Sequence, residues 1–271
     1  MSQIWFPGHM AKTRRLMREN LRLASLILEV VDARIPFSGR NPDIGRIAGD
    51  KARFVVLSKA DLADPKATAA WRRLMGDAGE KAFEVDALSG AGCRQLLAAC
   101  ETRAPRVGPL RVMVVGIPNS GKSSLINRMA GRKSARSGAL PGVTRGKQWV
   151  MASDRLEILD LPGVLSPRKG GRNLIMRQGA VGALDERAID PLEVALYLLA
   201  SVRIEEGLRS RFGLEATGDP QEDLKAVGAR LGCLRTGGEV DMQKAAILFL
   251  RDYRNGRLGR YTLEGPSETR E

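Results

Sequence analysis

The sequence predicts an α/β fold, a mainly parallel sheet with flanking helices, followed by a small all-α C-terminal domain. Three observations carry this prediction. Short apolar runs recur between residues 26 and 159, each of a length that suits a buried strand. One of them leads into a glycine-rich loop and then a helix. After about residue 177 the strand signals stop and helices with proline starts take over. The boundaries expected are therefore 1–177 and 178–271, and two domains fit comfortably in 271 residues.

The strands read in order as Leu26–Val31, Phe54–Leu57, Ala82–Val85, Leu110–Val115 and Leu156–Leu159. In the second half, Asp190-Pro191-Leu192-Glu193 supplies an N-cap, an N1 proline and an N3 acid, opening a helix expected to run through Leu208. Asp219-Pro220-Gln221-Glu222 repeats the device. A third helix places Met242, Ala245, Ala246, Phe249 and Tyr253 on one face.

The fourth strand precedes Gly116-Ile117-Pro118-Asn119-Ser120-Gly121-Lys122-Ser123, a complete G-x-x-x-x-G-K-S/T loop, and Ser124–Met129 reads as the helix after it. Such a loop curls backbone N–H groups around phosphates while the helix N-terminus adds its positive end. Asn119, Ser120, Gly121, Lys122, Ser123 and Ser124 are expected around a nucleotide's phosphates. Lys122 should reach the β- and γ-phosphates, and the Ser123 hydroxyl should ligate Mg²⁺. Strand, loop and helix agree, which disfavours an unliganded Gly-Lys-Ser turn.

A phosphate loop does not choose a base. Ser58-Lys59-Ala60-Asp61 follows the second strand, at the end where open sheets bind ligands. The Asp61 carboxylate can accept from both the N1–H and the exocyclic amine of guanine, whereas adenine offers no such pair. Asp86-Ala87-Leu88 follows the third strand, and the Ala87 N–H is placed to meet guanine O6. Downstream, Pro141-Gly142-Val143-Thr144 makes Thr144 a candidate for closing on Mg²⁺ and the γ-phosphate. In Asp160-Leu161-Pro162-Gly163, Asp160 would hold Mg²⁺ through water and the Gly163 N–H would sense the γ-phosphate. The parts are those of a Ras-like GTP-binding domain, but the base-reading loop precedes the phosphate loop. The domain is therefore circularly permuted.

With these elements in place the chain resembles the circularly permuted ribosome-assembly GTPases, specifically the RbgA/YlqF group that acts on the large subunit. The resemblance also rests on Trp5-Phe6-Pro7-Gly8-His9-Met10, Val31-Asp32-Ala33-Arg34-Ile35-Pro36 and Leu258-Gly259-Arg260-Tyr261-Thr262-Leu263-Glu264, so it runs nearly end to end. A sibling group with a leading OB-fold and a zinc tail fits poorly, since the chain has one His, three Cys and no Cys-x-x-Cys. The resemblance implies GTP hydrolysis coupled to late maturation of the large (50S) subunit, with its rRNA as partner and a monomer away from the ribosome. It offers His9 to position the attacking water; a helix cap or an RNA contact is the other reading of that residue. It also suggests Asn119 as a K⁺ ligand beside Mg²⁺. The group's pattern has Asn where this chain has Ser58, and usually Ser where it has Asp86. Val164 stands where Ras-like enzymes carry a water-positioning glutamine, so turnover should be slow until activated. A GTP-gated RNA-binding placeholder with little catalysis is the alternative; a nucleotide kinase lacks its lid.

The net charge of +13 exceeds what nucleotide binding requires and points to nucleic acid. Basic residues cluster at Lys12, Arg14, Arg15, Arg18 and Arg22, and again at Arg132, Lys133, Arg136, Arg145 and Lys147. The last helix carries Lys244, Arg251 and Arg254, followed by Arg257 and Arg260, a basic flank expected to bind RNA. Cys93 and Cys100 lie seven apart on a helix, too far to bridge. Free thiols, no signal peptide and no membrane-length apolar run point to the cytoplasm. GTP-driven movement of the 163–177 segment is expected to reorient the helical domain.

Overall fold

The computed structural model describes residues 19–131, 149–160, 170–185, 187–201 and 204–270. Six strands form one sheet: β1 Leu26–Asp32, β2 Ala52–Ser58, β3 Lys81–Val85, β4 Leu110–Val115, β5 Trp149–Ser153 and β6 Leu156–Asp160. Their order is β3-β2-β1-β4-β6-β5, parallel except for β5, which pairs antiparallel with β6. β1 is buried along its whole length, as a central parallel strand covered on both faces must be.

Helices α1 Pro42–Ala48, α2 Pro65–Asp77, α3 Cys93–Glu101 and α4 Lys122–Ala130 connect the strands. Asp64 caps α2 by accepting from Ala67 N (2.7 Å), with Pro65 in the first turn. The core between sheet and helices gathers Leu28, Val30, Phe54, Val112, Val114, Leu96 and Leu125. Cys93, Cys100 and Cys233 are free and buried, and burial pushes the Cys100 thiol up to about 12.

Five helices follow: α5 Arg172–Ala180, α6 Pro191–Ser201, α7 Glu205–Phe212, α8 Pro220–Arg230 and α9 Met242–Arg254. Two expectations change here. The helix expected from Pro191 through Leu208 is two helices, because Ile204 leaves helical geometry and Glu205 and Glu206 open a new first turn. The boundary expected at 177/178 falls inside α5. Met176 and Ala180 pack with α6–α9, so the helical unit begins at Arg172.

The helical unit is not a separate body. Its core takes in Ile35 and Ile117 from the sheet domain. Arg34, fully buried, pairs with Asp32 (Nη2–Oδ2 2.8 Å, Nε–Oδ1 2.9 Å), reaches the Tyr253 and Arg254 carbonyls at 3.4 Å each, and lies over the Tyr253 ring. A cation at the last carbonyls of a helix meets its negative end. The Glu264 carboxylate accepts from Phe37 N, from Ser38 N (2.8 Å) and Oγ (2.5 Å), and from Arg177 Nη1 (3.2 Å). Gln178 Nε2 donates to Ser38 O (2.9 Å). These bonds tie α5 to the sheet domain and argue against reorientation of the whole helical unit. Among the described residues no helix is long and apolar enough to cross a membrane.

Candidate functional site

Strand order reverses between β1 and β4, and the carboxyl ends on either side of that reversal form the crevice where open α/β sheets hold ligands. A cleft of about 990 Å³ opens there. From the β2 and β3 ends come Ser58, Lys59, Asp61, Asp86 and Ala87; from the β4 end come Asn119, Gly121, Lys122, Ser123 and Ser124. Two loops far apart in the chain thus share one site.

They are joined directly. Ser58 Oγ lies 2.5 Å from Ser120 O and 3.0 Å from Val31 O, and its single hydrogen serves these carbonyls. The serine therefore braces the phosphate loop against the first strand. Lys59 donates from Nζ to Asn119 O (2.6 Å) and pairs with Asp32 Oδ2 (3.1 Å). Lys59 and Asn119 both adopt left-handed backbone (φ 52° and 57°), a strain that a lysine tolerates only where its surroundings fix it. Gly116 is required sterically: a Cβ there would sit 2.3 Å from Val30 O on β1. Lys122 curls back so that its Nζ donates to Ile117 O (2.9 Å).

The half-buried Asp61 carboxyl is pushed above its usual range by burial and by the Asp86 carboxylate, with a backbone hydrogen bond, Arg260 and Arg34 opposing. Asp86 closes its own turn, accepting from Leu88 N (2.7 Å) and Ser89 N (3.1 Å). Burial raises its carboxyl, but the bonds from Ser89 and Leu88 and the nearby Arg128 outweigh that and hold it below the ordinary value. Arg128 donates to Ala87 O (2.7 Å), fixing the loop that carries the Ala87 N–H. This gives Asp86 an architectural role beside the base.

For Mg²⁺ the donor set fits. Ser123 offers a hydroxyl in the cleft, and Asp160 ends β6, which runs beside β4 with Asp160 opposite Val114. Both are hard oxygen donors of the kind that hold an ion whose remaining ligands are phosphate and water. Among the described residues no three His, Cys, Asp or Glu come together in a metal-holding group. His9, Thr144 and Gly163 lie outside the described residues, as do Val164 and the two expected basic clusters apart from Arg22.

Residues 111–209 match the family described as 50S ribosome-binding GTPase. Ribosome biogenesis GTPase A of Priestia megaterium is 39% identical, with 98% of each chain covered. The chain belongs to the ribosome biogenesis GTPase A family. Its Thermotoga maritima relative is 30% identical over 97% of this chain and 95% of that protein. The crystal structure of GNP-bound YlqF from T. maritima superposes with a TM-score of 0.71 at 28% identity, covering 94% of this chain and 98% of that one. A GDP-bound YlqF gives 0.70 at 27% identity over 93% and 100%. The chain is accordingly a GTPase with a YlqF-like fold.

One wall of the cleft in this family member was not expected. Val181, Gly182, Arg254 and Asn255 of the helical unit line it. Asn119 Nδ2 donates to Gly182 O (2.6 Å), tying the phosphate loop to the turn after α5. Arg254, half-buried, and Arg260, exposed, both expected on an RNA face, each also donate to backbone carbonyls. Arg254 donates to Gly179 O (2.9 Å) and Ala180 O (3.1 Å), Arg260 to Ala60 O (2.8 Å) and Ala63 O (3.0 Å). Arg257 pairs with Asp252 (2.9 Å) while remaining exposed, and Lys244 and Arg251 lie on the open face of α9. Sequence periodicity places a basic residue on a flank but cannot tell an arginine that faces water from one that bonds to a neighbouring loop's carbonyls.

Proposed function

We propose that this GTPase binds rRNA of the large ribosomal subunit and acts late in 50S assembly in the cytoplasm, coupling GTP hydrolysis to maturation or release. The observation that carries the reading is the convergence of the Asp61 loop and the phosphate loop on one cleft whose far wall is the helical unit. Its family relatives are named for ribosome biogenesis, and a +13 chain suits an RNA partner. Lys244, Arg251, Arg257 and Arg260, all exposed, are the RNA contacts proposed from the basic flank; Arg254 is half-buried and bonds to the Gly179 and Ala180 carbonyls.

In the chemistry we envisage, Asp61 accepts two hydrogen bonds from guanine and Lys122 leaves Ile117 O to meet the β- and γ-phosphates. Ser123, Asp160 and Thr144 would hold Mg²⁺, which would supply charge stabilisation to the phosphate oxygens. Gly163 registers the γ-phosphate. Val164 can neither donate nor accept a hydrogen bond, so His9 or a group on the ribosome positions the water.

Turnover measured with and without large-subunit precursors tests this. Stimulation of tenfold or more by the precursors is expected, on the order of what one supplied transition-state contact gives. Equal rates would favour a GTP-gated RNA-binding placeholder. Asn119, held by Gly182 O through its amide nitrogen, keeps its amide oxygen for a monovalent cation beside the phosphates. Turnover in KCl should therefore exceed that in NaCl at equal ionic strength; equal rates would remove K⁺ from the mechanism.

A further inference from the structure

The base-reading loop is held from outside its own domain. Consecutive strap residues engage it about 200 positions downstream in the chain. Arg260 donates from Nη2 to Ala60 O (2.8 Å) and from Nε to Ala63 O (3.0 Å), so one planar guanidinium spans the two carbonyls that flank Asp61-Leu62. Tyr261 N donates to Leu62 O (3.2 Å), and Thr262 Oγ1 accepts from Asp64 N (3.1 Å). Gly256 comes so close to Leu62 that an added Cβ would lie 2.5 Å from its Cδ2.

The strap is itself anchored on both sides. Tyr261 OH accepts from Gly207 N (3.1 Å), Leu263 N donates to Arg34 O (2.8 Å), and Trp71 Nε1 donates to Glu264 O (2.9 Å). Asp61 therefore sits on a loop clamped at residues 60, 62, 63 and 64 by a segment with fixed ends. Arg260 also counters the burial and the Asp86 charge that push the Asp61 carboxyl up.

We propose that the Arg260–Thr262 strap is part of the guanine-recognition apparatus, and that Arg260 is the positioning residue holding Asp61 in register with the base. The inference rests on the reading of this cleft as a guanine site. A bidentate carboxylate contact needs both oxygens aligned with two donors, and a loop whose outer carbonyls have lost their partners has no such alignment.

Affinities for GTP, ITP and ATP, with thermal melts, distinguish the possibilities. ITP keeps the triphosphate and the N1–H but lacks the exocyclic amine, so its comparison with GTP reads the second hydrogen bond alone. Arg260→Ala should lower the GTP-to-ITP affinity ratio by roughly tenfold. Arg260→Lys, which reaches one carbonyl at a time, should restore part of it. Thr262→Val, which removes the acceptor from Asp64 N, should lower the ratio less, and supplies the test should Arg260→Ala fail to fold. A general loss of stability would weaken GTP and ITP alike, so an unchanged ratio in folded variants, with or without a lower melting temperature, overturns the inference. A wild-type protein that does not prefer GTP over ATP would instead overturn the guanine reading itself.

Discussion

Asp61→Asn should abolish the preference for GTP over ATP and weaken GTP binding by about a hundredfold or more. The effect is large because the substitution does more than remove a contact. The carboxylate accepts from both guanine donors, whereas the amide presents one donor of its own to the exocyclic amine and leaves two hydrogens opposed. Xanthine carries a carbonyl where guanine carries that amine, so the same variant should gain affinity for XTP. Competition binding with GTP, XTP and ATP checks both directions. Retained selectivity for GTP over ATP would refute the base-reading role of Asp61. The fold should be untouched, since the Asp61 side chain lines an open cleft.

Arg34→Ala should lower stability by about 3–5 kcal/mol, a fall in melting temperature on the order of 10 °C for a chain of this size. The arginine is fully buried, and its loss leaves the buried Asp32 carboxylate with Lys59 and the residue-34 backbone N–H but without the guanidinium. It also strips the donors from the Tyr253 and Arg254 carbonyls. Removing both charges, as in Arg34→Met with Asp32→Leu, should recover part of the loss, because a buried pair replaced by apolar groups leaves no charge stranded. Denaturant melts of the three proteins measure this.

Acid unfolding gives an independent reading of the same pair. Burial pushes the Asp32 carboxyl up, but the Arg34 charge and hydrogen bonds, with Lys59, outweigh it and hold the group at about 2 against an ordinary 3.8. A carboxyl lowered on folding adds stability that is whole above its unfolded value and is lost as pH falls from there through about 2. In Arg34→Ala the largest opposing charge is gone, so the stability gap between wild type and variant should narrow as pH falls from the ordinary carboxylate value through about 2.

Much of this architecture was legible beforehand, for identifiable reasons. Strands β1, β2 and β4 are buried on both faces and so write themselves as continuous apolar runs, and the phosphate loop needs its glycines for close approach to β1. β5 left no such mark: it is a half-buried edge strand, with a register shift between Met151 and Ser153. The docking of the helical unit was also hidden. Arginines and glutamates are expected at the surface, and nothing local announces that Arg34 and Glu264 are buried against partners more than two hundred positions away. The position of Asp61 in the cleft was legible because its loop follows a strand at the carboxyl end of the sheet. The roles of Ser58 and Asp86 emerged only from their partners, Ser120 O in one case and the Leu88 and Ser89 amides in the other.

The span between Arg34 and Tyr253, 219 positions, also bears on biosynthesis. A chain leaves the ribosome from its N-terminal side at about 5–20 residues per second, so Arg34 and the Asp61 loop wait on the order of ten seconds or more for their partners in α9 and the strap. Until then Arg34 has Asp32 but not the Tyr253 and Arg254 carbonyls, and residues 60–64 lack their contacts with residues 260–262. On the role proposed for the strap, competence to discriminate guanine would be acquired only once residues 260–262 have been made, late in translation.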